Sequence, residues 1–276
     1  MKKYAIIFLT VACSAILASE NRLKSEIDWK TGTITSEAVY SIKSDETGLP
    51  VDYSDSNSSG INKARLEAYE QSGKLSRELI TKELKNLQID STTTFEDLLK
   101  ESEYSRRMAA ELIQNKIKTR KVPYNFSSAK CISSLKISDI IAALPLDFPD
   151  YDFPDFGTGI IPTDYTSVVI DVRGLGITPM IFPSIYSEDG IEIYGRTLIT
   201  PGKIDSSGPV SFCFNETEAL KHKKAGIHPF YTVALKNLRN SPVIANEDVD
   251  RILCSKVTRS NIKSCKVIFI IDRINK

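Results

Sequence analysis

The chain has 276 residues, of which 41% are hydrophobic and 26% are charged, which is typical of a globular protein with an ordinary core. Its 36 Lys and Arg residues nearly balance its 35 Asp and Glu residues, and the formal charge is +1. Because nucleic-acid binding needs clustered cations against phosphates, we expect no nucleic-acid partner. Beyond the N-terminal leader, no segment approaches the roughly 20 apolar residues that cross a bilayer.

Residues 1–19 have the pattern of a secretory signal peptide. A basic start at Lys2 and Lys3 precedes an apolar run that ends at Ala18, and charged residues return after Ser19. Cleavage after Ala18 or Ser19 releases a soluble protein and lowers the formal charge from +1 to −1, because both lysines leave with the leader. We therefore expect export to the periplasm or cell envelope.

A lipid anchor at Cys13 is an alternative outcome of export. Lipoprotein processing cuts directly before a cysteine, but Thr10 holds the place where leucine is usual in such a site. The apolar run also continues past Cys13 to Ala18, which favours soluble release. An uncleaved membrane anchor is the third alternative. Contact with the membrane is thus expected only through the leader or a lipid on Cys13.

Residues 20–146 are predicted to form an N-terminal α+β domain of strand, helix, helix and strand. Alternating side chains predict strands, and a period of three to four predicts helices. A capping box at Thr93 or Thr94 is expected to begin the second helix. The predicted elements are a strand from Ile27 to about Tyr40, an exposed loop over 44–60, a helix from about Asn62 to Leu87, a helix ending near Lys116, a strand over 129–137 and a short helix capped by Ser138.

Residues 147–164 break the composition with repeated proline, aspartate and aromatic residues, and we predict a stiff linker or surface strap. Four carboxylates lie close enough in sequence to share a calcium ion: Asp147, Asp150, Asp152 and Asp155. Their spacing is not that of a calcium loop. The interleaved aromatics Phe148, Tyr151, Phe153 and Phe156 favour a strap pinned to a domain surface or docked on a partner.

Residues 165–276 are predicted to form a β-rich C-terminal α+β domain. A strand over 166–172 precedes a bend at Arg173–Gly176, and two strands joined by Asp189-Gly190 predict a hairpin. A further strand is expected from Phe230 to Leu235, and Asn246 is expected to cap a helix. The nearly continuous apolar run over 266–271 predicts a closing strand at the centre of a sheet.

These blocks together resemble exported bacterial proteins of the twenty-kilodalton-lipoprotein and flagellar-assembly-T-like group. The resemblance is most specific over YTSVVIDVRGLGITPMIFPSIYSEDGIEIYG (Tyr165 to Gly195) and over Ser241 to Arg273. The opening blocks DWKTGTITSEAVY and KARLEAYEQSGKLSRELI are similar as well. The resemblance implies an architectural role in the envelope or at the flagellum, and it implies no catalytic residues.

Four cysteines remain if the leader is removed: Cys131, Cys213, Cys254 and Cys265. They show no spacing typical of zinc ligands. In an exported protein they indicate disulfides, with Cys254–Cys265 as the favoured pair. Cys131, Cys213 and Cys265 lie within apolar or alternating stretches, which indicates buried thiols instead, and we favour this alternative.

Other candidate motifs carry little chemistry. His222 and His228 lie in no catalytic context, and we expect neither to be catalytic. Arg173-Gly174-Leu175-Gly176 lacks the third glycine of a phosphate loop, so we interpret it as a strand bend. The basic run over 221–224 is interpreted as a solvated loop.

Taken together, the sequence predicts a non-enzymatic exported envelope protein without a cofactor or a bound metal. We expect it to be a scaffold or accessory part of a periplasmic or flagellum-associated assembly, with protein partners in the envelope. A periplasmic binding module for a small ligand or cell-wall polymer, with its site between the two domains, is the alternative. A hydrolase with residues gathered from distant positions is the third hypothesis.

Overall fold

The computed structural model describes residues 22–51, 60–149, 151–155, 159–204 and 208–273. Over these residues the chain has the predicted α+β fold, with an N-terminal unit of strands and helices followed by a β-rich unit. The described strands form three sheets of four strands each.

The N-terminal unit is an antiparallel sheet with a long helix across one face. Its sheet order is β1-β2-β4-β3. The strands are β1 (Leu23–Asp28), β2 (Thr33–Ser41), β3 (Lys118–Val122) and β4 (Ser128–Lys136), and the helices are α1 (Ile61–Asn86), α2 (Phe95–Glu101), α3 (Glu103–Lys116) and α4 (Ile137–Ala143).

The first predicted strand is in fact a hairpin. The single strand predicted from Ile27 to about Tyr40 is wrong, because the chain turns between β1 and β2. The Asp28 carboxylate accepts hydrogen bonds from the backbone of Lys30 at 2.9 Å and of Thr31 at 3.3 Å, and Gly32 adopts a φ of +62°. An aspartate that bonds the backbone two residues ahead is typical of a turn.

Helix α1 packs closely on the sheet because its buried side chains are small. They recur every four residues: Ala64, Ala68, Ser72, Ser76, Ile80 and Leu84. Ser76 lies 2.7 Å from the hydroxyl of Ser133 on β4, and its carbonyl oxygen accepts a hydrogen bond from Ser36 on β2 at 2.5 Å. These buried hydroxyls are therefore satisfied, as buried polar groups generally are.

The predicted second helix is divided into α2 and α3. Thr94 forms the expected capping box with Asp97, and each side chain bonds the backbone N–H of the other residue. Ser102 then breaks the helix and caps α3, accepting a hydrogen bond from the backbone N–H of Ser105 at 3.0 Å. The predicted cap at Ser138 is wrong, because α4 begins at Ile137 and has no side-chain cap.

The C-terminal unit contains the other two sheets. Their orders are β10-β11-β6-β7 and β8-β12-β5-β9. The strands are β5 (Ser167–Asp171), β6 (Ile185–Ser187), β7 (Glu192–Tyr194), β8 (Val210–Cys213), β9 (Pro229–Val233), β10 (Lys236–Leu238), β11 (Ser241–Ile244) and β12 (Val267–Ile270), and the helices are α5 (Glu216–Lys221), α6 (Asn246–Leu253) and α7 (Lys256–Lys263). Two short 3-10 helices span Arg196–Leu198 and Pro201–Lys203.

Strand β12 lies inside an all-parallel sheet, as its continuous apolar sequence predicts. It pairs with β5 on one side and β8 on the other, and each of its residues is buried. One face of this sheet packs on α6 and α7 through Ile252 and Ile262, whereas α5 packs on the other face through Ala219. A parallel sheet is normally covered on both faces.

The Asp-Gly hairpin also forms, between β6 and β7, with Gly190 at a φ of +77°. The predicted cap at Asn246 is wrong, because Asn246 is the first residue inside α6. Its amide nitrogen instead donates to Asp189 at 2.9 Å, and its backbone N–H donates to Glu188 at 3.0 Å. The hairpin turn therefore supplies carboxylates to the start of α6, where negative charge is favourable.

The two units share one hydrophobic core. Ile34 and Leu84 of the N-terminal unit belong to the same buried cluster as Val168 and Phe269 of the C-terminal unit. The segment before β6 also bonds the segment before α2, since Ile181 donates its backbone N–H to the carbonyl oxygen of Gln88. The units are thus joined by core packing and by main-chain bonds.

Candidate functional site

The carboxyl ends of the four parallel strands gather charged side chains at one edge of the sheet. Asp171 is the last residue of β5, Glu216 begins α5 directly after β8, and Asp272 follows β12. In open parallel sheets, ligands bind outside this edge. This edge of the sheet is therefore a candidate functional site.

Arg173 links the carboxylates of this edge. Its Nε lies 2.9 Å from Asp171 Oδ1, and its guanidinium also contacts Glu216. The Tyr231 hydroxyl donates to Asp171 Oδ2 at 3.1 Å. Arg173 therefore neutralises two carboxylates that come from different strand ends.

These contacts move each pKa away from neutral pH. Hydrogen bonds from Arg173 lower the pKa of Asp171, and the pKa of Glu216 is lowered by its own backbone N–H and then by Arg173. Burial, followed by the charge of Asp171, raises the pKa of Tyr231. General acid–base catalysis works best with a pKa close to the operating pH, so this cluster is suited to holding structure.

A groove separates the N-terminal unit from the same edge of the sheet. Its volume is about 510 Å³. Apolar side chains on its walls are Ile27, Trp29, Phe212, Phe214 and Ile271, and polar ones are Ser25, Glu26, Asp28, Lys30 and Glu83. We call this feature the interdomain groove. The rings of Trp29 and Phe212 meet edge to face with centroids 5.6 Å apart, so the two units touch at its base.

Lys30 and Glu218 form an ion pair across the rim of the interdomain groove. Glu218 also accepts a hydrogen bond from the backbone N–H of Phe214 at 3.0 Å. The pair raises the pKa of Lys30, and Lys30 followed by the Phe214 N–H lowers the pKa of Glu218. Both residues therefore keep their charge at neutral pH.

Strand β9 carries an apolar surface on the same sheet. Four large apolar residues at odd positions face solvent: Ile227, Tyr231, Val233 and Leu235, with exposures of 97, 42, 56 and 53%. The even positions Phe230 and Ala234 are buried in the core. We call this stripe the open face of β9.

The residues predicted for leader processing, Cys13, Ala18 and Ser19, lie outside the described residues. The four described cysteines are free, so the disulfide predicted between Cys254 and Cys265 is not formed in this structure. Cys265 is fully buried, and the Cys254 thiol contacts the carbonyl oxygen of Arg251 at 3.3 Å. Burial raises the pKa of Cys213 to about 11.

The aspartates of the strap do not assemble a metal site in the described part of the chain, where no group of three His, Cys, Asp or Glu side chains has the needed proximity. Asp150 and Phe156 lie outside the described residues. Phe148 meets the ring of Phe182 at 5.7 Å, and the ring of Phe153 lies 5.7 Å from Lys263 Nζ. Aromatic side chains thus hold the strap on the C-terminal unit.

The two histidines contact backbone groups. His222 Nδ1 accepts from the backbone N–H of Lys224 at 3.2 Å, and His228 Nδ1 lies 3.0 Å from the carbonyl oxygen of Asp164. The basic run over 221–224 is not wholly a solvated loop, because Lys224 is buried and donates to the carbonyl oxygen of Gly208 at 2.6 Å. This lysine anchors a loop.

The glycine-rich bend is confirmed as a bend. Gly174 and Gly176 adopt φ values of +77° and +65°, which favour glycine. The backbone N–H of Gly174 donates to the Asp272 carboxylate at 2.8 Å. In a phosphate loop this N–H would bind a phosphate oxygen, whereas here it is hydrogen-bonded to a carboxylate of the protein itself.

The sequence did not predict which residues form the strand-end cluster, the interdomain groove and the open face of β9. Trp29 reaches Phe212 only because the two units pack against each other. Asp171 and Glu216 are far apart along the chain, and the strand order brings them to one edge of the sheet. Their position at the ends of predicted strands was an available signal, because parallel strand ends converge. The alternation of Ile227, Tyr231 and Val233 with buried residues was also visible, but it did not reveal which side remained uncovered.

Among the described residues, no helix combines the length and the apolar character that crossing a membrane requires.

Each of the two units matches a family model that is named for a domain of the same bacterial protein. Residues 20–143 match the family model of the N-terminal domain of Treponema pallidum Tp0624, and residues 167–273 match the model of its second domain. No curated protein matches the chain. These matches give no support to the twenty-kilodalton-lipoprotein and flagellar-assembly-T-like grouping. The two units of this chain are therefore similar to the first two domains of Tp0624, in the same order.

Proposed function

We propose that this protein is a non-enzymatic, exported component of the bacterial cell envelope that serves as a scaffold or accessory part of a larger assembly. The open face of β9 carries this proposal. Contiguous apolar residues on a protein surface often mark an interaction site. Tyr231 and Val233 form such a patch on β9, which ends its sheet, and Ile227 and Leu235 lie two residues before and after this strand.

The open face exists because its side of the sheet is only partly covered. Helix α5 has six residues, and it contacts β8 and the neighbouring strand β12. Strand β9 lies at the opposite edge of the sheet from β8. Its odd-numbered side chains Tyr231 and Val233 are exposed.

The backbone of β9 can also accept a further strand. The backbone N–H of Ala234 donates to the carbonyl oxygen of Asp171, and the carbonyl oxygen of His228 accepts from the backbone N–H of Thr166. The N–H and C=O groups of even-numbered residues therefore point toward β5. Those of Tyr231 and Val233 point away from the sheet. A partner segment that pairs here gains main-chain bonds and sets alternate side chains beside the open face.

We expect the occupant to be an extended apolar segment of another envelope protein, flanked by acidic residues. Lys223 precedes the stripe and Lys236 follows it, and both are exposed. Two antiparallel copies of β9 would bring these basic ends together, which disfavours self-pairing. Acidic flanks complement the same ends.

The electrostatics of the strand-end cluster support a non-enzymatic role. Arg173 lowers the pKa of Asp171 and helps to lower the pKa of Glu216, whereas burial raises the pKa of Tyr231. None of these groups is tuned to exchange protons near neutral pH.

Photo-crosslinking from single positions tests the proposal. A photoreactive residue replaces Val233 in the full chain, and a matched probe replaces Leu66, which is 50% exposed on α1. We expect Val233 alone to crosslink to an envelope protein, within a segment that is apolar and flanked by acidic residues. A peptide of that segment should bind the wild type and lose affinity for V233E. Equal crosslinks from both positions, or crosslinks only between copies of this chain, would reject the proposed partner.

A binding module for a small ligand or cell-wall polymer is the second candidate, favoured by the interdomain groove. Aromatic rings at its base lie beside carboxylates and a hydroxyl on its walls, a mixture typical of ligand sites. Trp29 is the only tryptophan of the chain, so its fluorescence reports on the groove directly. Saturable fluorescence change with cell-wall fragments, lost in E83Q but kept in E111Q on α3, would support this function. An unchanged spectrum across fragments would argue against it.

A further inference from the structure

Helix α7 borders a second depression, whose lining shares no residue with the interdomain groove. Its volume is about 600 Å³. Four cationic residues line it, Lys203, Lys256, Arg259 and Lys263, and two carboxylates of the strap, Asp152 and Asp155, line it as well. We call this feature the α7 depression.

The cations share one face because of helical spacing. Lys256, Arg259 and Lys263 follow each other at intervals of three and four, which places them on one side of α7. The opposite side buries Thr258 and Ile262. The helix thus turns its apolar side to the core and its basic side to the depression.

Hydrogen bonds fix the shape of the α7 depression. The hydroxyl of Ser255 caps α7, accepting from the backbone N–H of Val257 at 3.1 Å, and itself donates to Asp164 at 2.5 Å. The backbone N–H of Thr200 donates to the carbonyl oxygen of Lys263 at 2.9 Å, which ties the Lys203 segment to the end of α7. The cations therefore project from anchored backbone.

Three of the four cations of the depression are not accounted for by internal ion pairs. Within the described residues, the structure places no carboxylate in ion-pair contact with Lys203, Lys256 or Arg259. Lys256 lies in the first turn of α7, which contains no acidic residue. A cation at a helix N-terminus opposes the helix dipole, so this charge does not serve the helix.

We infer that the α7 depression binds a phosphate-bearing anion. Arg259 offers a planar fork that matches phosphate oxygens, and the lysines add point charges around it. Ser260 and Ser264 lie on the same lining and can donate hydroxyl hydrogens. The same chemistry is presented by a soluble phosphate ester and by the headgroup of an anionic phospholipid. This inference does not depend on the partner proposed for β9.

Calorimetric titration with glycerol phosphate, and sedimentation with vesicles, separate the two sources. The vesicles contain phosphatidylcholine with or without about 30% phosphatidylglycerol, since anionic lipid attracts basic surfaces. The test variant is K203Q/R259Q. The control is K118Q/R120Q, which removes the same pair of residue types from the exposed face of β3. Thermal unfolding of each variant confirms that it folds.

We expect saturable binding that weakens about tenfold or more in K203Q/R259Q and stays within about twofold in the control. We also expect D152N/D155N to bind more tightly, because the competing carboxylates are neutralised. Binding of glycerol phosphate identifies a soluble ester as a sufficient ligand, and binding of phosphatidylglycerol vesicles alone identifies the headgroup. Absence of binding in both titrations, or equal loss in both double variants, overturns the inference.

Discussion

Phe182 donates its backbone N–H to the carbonyl oxygen of Ile89 at 2.7 Å, beside the bond that joins Ile181 to Gln88 at 3.1 Å. Residues more than ninety positions apart thus pair main chain to main chain where the two units meet. Both residues are buried in the shared core. The relative position of the two units is therefore held by specific main-chain bonds.

Replacing Phe182 with alanine should destabilise the whole chain. The Phe182 side chain is 2% exposed and packs on Phe148, so its removal leaves a cavity at the junction. Phenylalanine-to-alanine changes in cores cost about 3–5 kcal/mol. We expect a loss of this size in the free energy of unfolding, measured by urea denaturation. F126A is the control, because Phe126 is 87% exposed, and a comparable loss there would contradict the argument.

Replacing Arg173 with glutamine should lower stability at neutral pH more than at acid pH. The pKa of Asp171 is lowered from its ordinary 3.8 and that of Glu216 from its ordinary 4.5. A lowered pKa contributes stability above the ordinary value, and this contribution is lost as the pH falls through the lowered value. R173Q removes part of that contribution, so the difference from wild type should shrink toward about pH 3.

Urea denaturation at several pH values measures this difference. R120Q, an arginine on the exposed strand β3, is the matched control and should show no comparable dependence. A difference for R173Q that is constant from neutral to acid pH would show that Arg173 acts by packing rather than through the two carboxylates.

The sequence predicted the elements that depend on local pattern. The helical period of α1, the Thr94 capping box, the Asp-Gly hairpin and the central position of β12 all follow from neighbours along the chain. Two predictions were wrong, the single strand from Ile27 to Tyr40 and the helix cap at Asn246, because each residue pattern is compatible with more than one local structure. The Asp28 carboxylate accepts a backbone hydrogen bond that forms a turn, and the Asn246 side chain bonds Asp189 in the distant hairpin instead of capping α6.

The candidate sites could not be predicted in the same way, because they depend on strand order. Arg173 reaches Glu216 only because β5 and β8 flank the same central strand. The open face of β9 depends on which strands of the sheet α5 covers. Neither the strand order nor the position of α5 on the sheet is set by residues that are close in sequence.

The two predicted helix caps in the N-terminal unit should differ in effect. Thr94 bonds the backbone N–H of Asp97 at 3.2 Å, whereas the structure gives α4 no side-chain cap at its start. Loss of a threonine cap costs about 1 kcal/mol. We therefore expect T94A to lose about this amount in urea denaturation and S138A to lose much less. A larger loss in S138A than in T94A would reverse the assignment.

Thiol labelling distinguishes free cysteines from a disulfide in the C-terminal unit. Cys254 is partly exposed, whereas Cys131, Cys213 and Cys265 are buried. Thiolate is the reactive form, and burial raises the pKa of Cys213 to about 11, so this thiol stays protonated and slow at neutral pH. For a chain that begins at residue 20, we expect the folded protein to take up one maleimide, which C254S abolishes and C265S leaves in place, and the unfolded protein to take up four, as read by intact mass. If neither Cys254 nor Cys265 reacts after unfolding until a reductant is added, the two form a disulfide and the free-thiol arrangement is wrong.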